Sequence, residues 1–126
     1  KTSVQSTKAP KSLNGAPYLN GKILPDDEET LVFSGSVDEA IQGFPKNVNV
    51  AVAACIASQC PDTVVSVKSV PGLTENQHTV HLENAIVSAD VTIRSRPDPK
   101  NPKSSTSAAW SVIALLKNLA SPIFIY

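Results

Sequence analysis

Imidazole, amide, hydroxyl and ammonium groups gather at three places in this sequence: Asn76-Gln77-His78, Phe44-Pro45-Lys46-Asn47-Val48-Asn49-Val50 and Asn101-Pro102-Lys103-Ser104-Ser105. His78 follows a loop and opens a strand-like run, so its ring could project from a sheet edge into a cleft. There it would serve near neutral pH as base, acid or carboxylate partner, or simply as a satisfied imidazole. His81, three residues on, points to the opposite face of the same strand and reads as structural. Asn47 and Asn49 stand beside an expected helix N-terminus, as caps or as a pair of amides able to hold a carboxamide. Lys103, Ser104 and Ser105 join a cation and two hydroxyls at the start of the last helix, which suits a carboxylate as well as it suits ordinary N-capping.

Other chemistries are poorly supported. Cys55 and Cys60 lie five residues apart, neither a redox CxxC nor a spacing that completes a metal site with the two histidines, so they read as a buried thiol at Cys55 and an incidental one at Cys60, and no metal is expected. No Gly-rich phosphate loop and no Gly-x-Ser-x-Gly elbow occurs. Asp26, Asp27, Glu28 and Glu29 form a charge run typical of a solvated loop. The 126 residues carry 11 basic and 11 acidic side chains, and this balance argues against nucleic acid as a partner. The longest apolar runs, Ala51 to Ala57 and Val112 to Leu116, are too short for a membrane span. The reading is one soluble, cytoplasmic domain. A start at Lys1 and the absence of any Met suggest a piece of a longer polypeptide.

The elements that must position these groups follow from pattern. Thr2 to Lys8 is a short strand or extended leading segment stopped by Ala9-Pro10, and Asn14 to Asp27 is a surface loop. Leu31-Val32-Phe33 is a strand. Ser36 with Glu39 forms a capping box that starts a short helix through Ile41, ended at Gly43-Phe44-Pro45. Asn47 to Ser58, apolar nearly all round, should be a buried helix. Thr63 to Val70, His78 to Glu83 and Ala89 to Arg94 should form an antiparallel meander. A last helix, capped at Ser104, Ser105 or Thr106, carries an apolar stripe of Ala109, Val112, Ile113, Leu116 and Leu119 that should cover one sheet face. The class is α+β, a mostly antiparallel or mixed sheet covered on one face by helices.

Thr7 to Leu13, Phe33 to Ala40, Phe44 to Ala54, Asn76 to His78 and Asn101 to Ser105 occur in an order and spacing that resemble the C-terminal domain of the L-aspartate dehydrogenase family, along nearly the whole chain. The resemblance implies a fold like the C-terminal domains of dihydrodipicolinate reductase-like and glyceraldehyde-3-phosphate dehydrogenase-like enzymes. It also implies that residues 1–126 are one C-terminal domain of a longer two-domain chain with an N-terminal Rossmann domain. On that basis His78 is the catalytic residue, Asn49 with Asn47 contacts NAD or NADP, and Asn76, Lys103, Ser104 and Ser105 bind L-aspartate or a similar dicarboxylic amino acid. The implied reaction is NAD(P)-dependent oxidation to iminoaspartate, feeding NAD biosynthesis, by a homodimer through the open sheet face. A related amino-dicarboxylate reductase and a non-catalytic module of the same fold are the alternatives. The family commonly has Ala-Asp-Pro where this chain has Ser69-Val70-Pro71, which leaves open what orients the histidine.

Overall fold

The computed structural model describes residues 1–96 and 106–121. They fall into two compact units, divided after Arg94. The first contains β1 (Thr2–Lys8), α1 (Pro10–Leu13), a 3-10 turn (Pro17–Leu19), β2 (Thr30–Ser36), α2 (Val37–Gly43), α3 (Asn49–Ser58), β3 (Val64–Ser69), β4 (Asn76–Glu83) and most of β5 (Ser88–Ser95). The second unit carries α4 (Thr106–Leu119). The expected cap at Ser104 or Ser105 lies outside the described residues.

The five strands form one mixed sheet in the order β2-β3-β1-β4-β5. β1 runs parallel to β3 and antiparallel to β4, and β2 runs antiparallel to β3. The expected meander is therefore corrected: β1 separates β3 from β4, and only β4 and β5 form a hairpin, closed where Asn84 N–H donates to the Val87 carbonyl at 2.9 Å. The turn side chain also helps, since Asn84 Oδ1 accepts from the N–H groups of Ile86 and Val87, both at 2.8 Å. Alternating patterns show which residues of a strand share a face, not which strand lies next to which.

That alternation decides what is buried. Val4 on β1, Phe33 on β2 and Val65 and Val67 on β3 point to the same side and meet Val37, Ala40, Phe44, Val48 and Ala51 from the helical layer. Tyr18, Phe33 and Phe44 make a three-ring cluster with centroids 5.2 to 5.6 Å apart. The capping box of α2 is as expected: Ser36 Oγ accepts from the Glu39 N–H at 3.3 Å, while Glu39 Oε2 accepts from the Ser36 N–H at 2.8 Å.

Two further expectations need correction. The segment after Pro10 is not merely a surface excursion, because Leu13, Ala16, Leu19 and Leu24 enter the core. Their apolar side chains are spaced irregularly among turn residues, so no period announces them. α3 is not buried all round: Ala51 is buried, but Ile56 is 72% exposed and Asn49 is exposed. One side of α3 packs on β1 and β4, and its other side is an apolar surface of the first unit. Among the described residues no helix is long and apolar enough to cross a membrane.

Candidate functional site

β4 begins at Asn76, so His78 sits two residues inside the strand, and β4 lies between β1 and β5 rather than at the sheet edge. In register His78 faces Ser6 of β1. Because Ser6 shares the face of Val4, the imidazole lies on the helix-covered side of the sheet. Its Nδ1 is 2.9 Å from Ser6 Oγ, and Ser6 is fully buried. In the tautomer that donates Nδ1–H to the hydroxyl, Nε2 keeps its lone pair and is a base. Burial, and secondarily the positive charge of Lys8, holds the His78 pKa below its ordinary value. The ring is therefore neutral near neutral pH, the state a proton acceptor needs.

The partner of His78 is thus a serine of β1, not the residue at position 70. Val70 instead donates its backbone N–H to the Lys8 carbonyl at 2.9 Å, tying the ends of β3 and β1 together. Lys8 and Ser69 are register partners on the same covered face and are both buried. Burial lowers the Lys8 pKa. Asn76 is half-buried on the same face of β4 as His78, two residues away. The structure therefore brings together His78, Asn76, Ser6, Lys8 and Ser69 around the ends of β1 and β3 and the start of β4. Ser6 and Ser69 were missed by sequence reading, and Lys8 was noted only within a motif. The available signal was period two along β1: Ser6 and Lys8 share the inward face with Val4, and inward polar side chains in a strand call for a reason.

Of the other expected site residues, Asn49 is the first residue of α3, after Val48 as N-cap, and Asn47 lies in the preceding turn with its N–H on the Phe44 carbonyl at 2.9 Å. Neither amide caps the helix, so both side chains are available for a ligand, and the N-terminus is exposed at Asn49 rather than buried as expected. Lys103, Ser104 and Ser105 lie outside the described residues. His81 is on the opposite sheet face, as alternation requires, with Nδ1 2.7 Å from Asp90 Oδ1 and Nε2 3.9 Å from Glu83 Oε2. Two more cross-strand pairs flank it: Thr79 with Thr92 at 3.1 Å, and Gln77 Oε1 accepting from Arg94 Nε at 3.1 Å. Among the described residues no three His, Cys, Asp or Glu side chains converge as a metal site.

A mixed sheet with helices on one face, and a half-buried imidazole held by a serine on that face, define an α+β domain with a candidate site at the ends of β1 and β3. The family described as "Aspartate dehydrogenase, C-terminal" matches residues 1–119, and the chain belongs to that family. It is 38% identical over 120 residues to an L-aspartate dehydrogenase of Methanococcoides burtonii, covering 92% of this chain and 44% of the relative. Against L-aspartate dehydrogenase 3 of Bordetella bronchiseptica it is 38% identical over 122 residues, covering 94% and 44%. The crystal structure of aspartate dehydrogenase from Thermotoga maritima superposes with a TM-score of 0.75 at 27% identity, over 100% of this chain and 46% of that one. The chain thus spans less than half the length of the relatives it matches.

Proposed function

We propose that this chain is the substrate-side domain of an NAD(P)-dependent L-aspartate dehydrogenase, in which His78 moves the proton. The observation that carries this reading is the His78–Ser6 pair, a half-buried imidazole held at Nδ1 and kept neutral by burial and by Lys8. Membership of the family supports the substrate and the reaction type.

In this reading His78 Nε2 accepts a proton from the substrate ammonium, freeing the nitrogen lone pair. That lone pair then forms the C=N bond as the Cα hydrogen leaves with its electron pair. A bound nicotinamide supplies the hydride acceptor. The amides of Asn49 and Asn47 fit its carboxamide, since each offers a donor and an acceptor and neither side chain serves the helix. Protonated His78 returns its proton during hydrolysis of iminoaspartate to oxaloacetate and ammonia. Asn76 would orient the substrate, and Lys103, Ser104 and Ser105 would hold a carboxylate.

An N-terminal Rossmann domain would complete the cofactor site, as the length of the relatives supports. The sheet face opposite the helices of the first unit, where Leu31 and Val64 are exposed among Ser3, Gln5 and Ser66, is the proposed homodimer surface. A cytoplasmic setting fits the two free thiols, Cys55 and Cys60, and iminoaspartate would feed NAD biosynthesis. The test is NAD(P)-linked oxidation of L-aspartate by this chain joined to its cofactor domain, beside His78→Ala and the bare chain. Activity in the joined protein alone, falling at least about 100-fold in the variant, is expected. Activity that survives His78→Ala refutes the assignment.

A further inference from the structure

Two polar residues on the covered face, Lys8 and Ser69, serve no visible purpose in the fold. Lys8, the last residue of β1, is 8% exposed. Its ammonium has no hydrogen-bond or ion-pair partner among the described residues. Ser69, the last residue of β3, is 0% exposed, and its Oγ is without a partner there. An orphaned buried hydroxyl weakens a fold, and a cation on a buried side chain without a counter-charge gains nothing for it. Here they are adjacent, since Lys8 pairs with Ser69 in the β1–β3 register and the Val70 N–H clamps the Lys8 carbonyl. On the other side of β1, Ser6 holds His78. α3, which packs across β1 and β4, contains no charged residue to neutralise the ammonium.

We propose that Lys8 and Ser69 form a carboxylate-binding pair that takes one carboxylate of a dicarboxylic amino-acid substrate and sets it beside His78. The inference rests on the reading of His78 as the proton-moving group. The ammonium and the Ser69 hydroxyl both donate, which matches the two acceptor oxygens of a carboxylate. The pair also couples binding to chemistry. Lys8 depresses the basicity of His78 while the site is empty, and a carboxylate that neutralises Lys8 lifts it when substrate is present.

The test uses succinate, a dicarboxylate that cannot be oxidised at an amine, with the imidazole signals of His78 followed by NMR in the 126-residue chain. In the wild-type chain succinate shifts those signals saturably and raises the His78 pKa. Lys8→Met abolishes both effects, Lys8→Arg restores them in part, and Ser69→Ala weakens binding about fivefold or more. Since the Lys8 ammonium has no partner among the described residues, Lys8→Met leaves the far-UV circular dichroism and the cooperative thermal transition in place, so a lost response is not a failure to fold. Unchanged succinate binding in Lys8→Met overturns the proposal. In the protein joined to its cofactor domain, Lys8→Met should raise KM for aspartate at least about 30-fold. The same variant should move the acid limb of the pH profile to higher pH. Succinate binding through Lys8 without any aspartate oxidation would sustain the carboxylate site and remove the dehydrogenase reading. Aspartate oxidation with an unchanged KM in Lys8→Met would do the reverse.

Discussion

Replacing Ser6 with alanine removes the one side-chain hydrogen bond that His78 makes among the described residues and disturbs little else. The hydroxyl is fully buried and its oxygen lies 2.9 Å from Nδ1. Loss of a neutral, part-buried hydrogen bond costs about 1 kcal/mol net, rising to about 2 where the imidazole cannot find water in its place. We therefore expect Ser6→Ala to lower the unfolding free energy of the sheet unit by about 1–2 kcal/mol. Far-UV circular dichroism in urea is the suitable probe, because the single tryptophan, Trp110, sits on α4 in the other unit. The second consequence is orientational. Without an acceptor at Nδ1, the ring is free to turn and to move its proton to Nε2, the nitrogen proposed as the base. We expect nitrogen-15 shifts of His78 to report the Nδ1–H tautomer in the wild type and a mixture in Ser6→Ala. In the joined protein, kcat should fall about tenfold, equivalent to about 1.4 kcal/mol, while KM changes little. Ser6→Thr, which keeps the hydroxyl, should recover most of the loss. Identical tautomer signals and identical kcat in Ser6→Ala would refute the claim that Ser6 sets the state of His78.

The pH dependence of stability follows from the direction of the His78 shift. Its folded pKa lies below the ordinary 6.5, so between those two values the unfolded chain binds more protons, and stability should rise with pH through that window. His78→Asn should flatten the rise in denaturation curves measured across it. Ser36→Ala removes the hydroxyl half of the α2 capping box and leaves Glu39 Oε2 on the backbone N–H of residue 36; it should cost about 1 kcal/mol in urea unfolding, with no change in the His78 signals. Gly35→Ala should cost about 1–3 kcal/mol, because an added Cβ would stand 2.8 Å from Phe33 Cζ and 2.7 Å from Glu39 Oε2. Asn49→Ala should raise KM for the nicotinamide cofactor in the joined protein and leave the stability of the bare chain within about 0.5 kcal/mol, as the amide is exposed and does not cap α3.

How much of this was legible in the sequence depends on whether the signal was local. The capping box at Ser36 and Glu39, the stop at Gly43-Phe44-Pro45 and the opposite faces of His78 and His81 each depend on residues a few positions apart, and each is found. The runs of β3, β4 and β5 were placed to within two residues at either end, whereas β2 continues three residues past Phe33. Strand order was not legible, because a parallel β1–β3 pair between residues some sixty apart leaves no local trace. α3 misled for a related reason. A helix apolar on every side looks buried, yet an outward apolar face is equally consistent with a surface awaiting another domain.

The same limit explains why Ser6 and Ser69 were overlooked. Each becomes meaningful only after β1 is known to lie between β3 and β4, which places Ser6 against His78 and Lys8 against Ser69. β1 and β3 are parallel, so Lys8 and Ser69 both stand at C-terminal strand ends, whereas antiparallel β4 starts nearby and delivers Asn76 and His78 to the same end. A simple meander would have put β3 and β4 side by side and left no central strand to hold Ser6 and Lys8 between them. The crossover is therefore what assembles the site. It also sets a division of labour along β1, in which Val4 packs into the core, Ser6 holds the imidazole and Lys8 is the proposed carboxylate ligand. Substitutions along this strand should consequently pass from loss of stability at Val4 to loss of succinate binding with little change in stability at Lys8. A strand that served only to hold the sheet together would lose stability at all three positions.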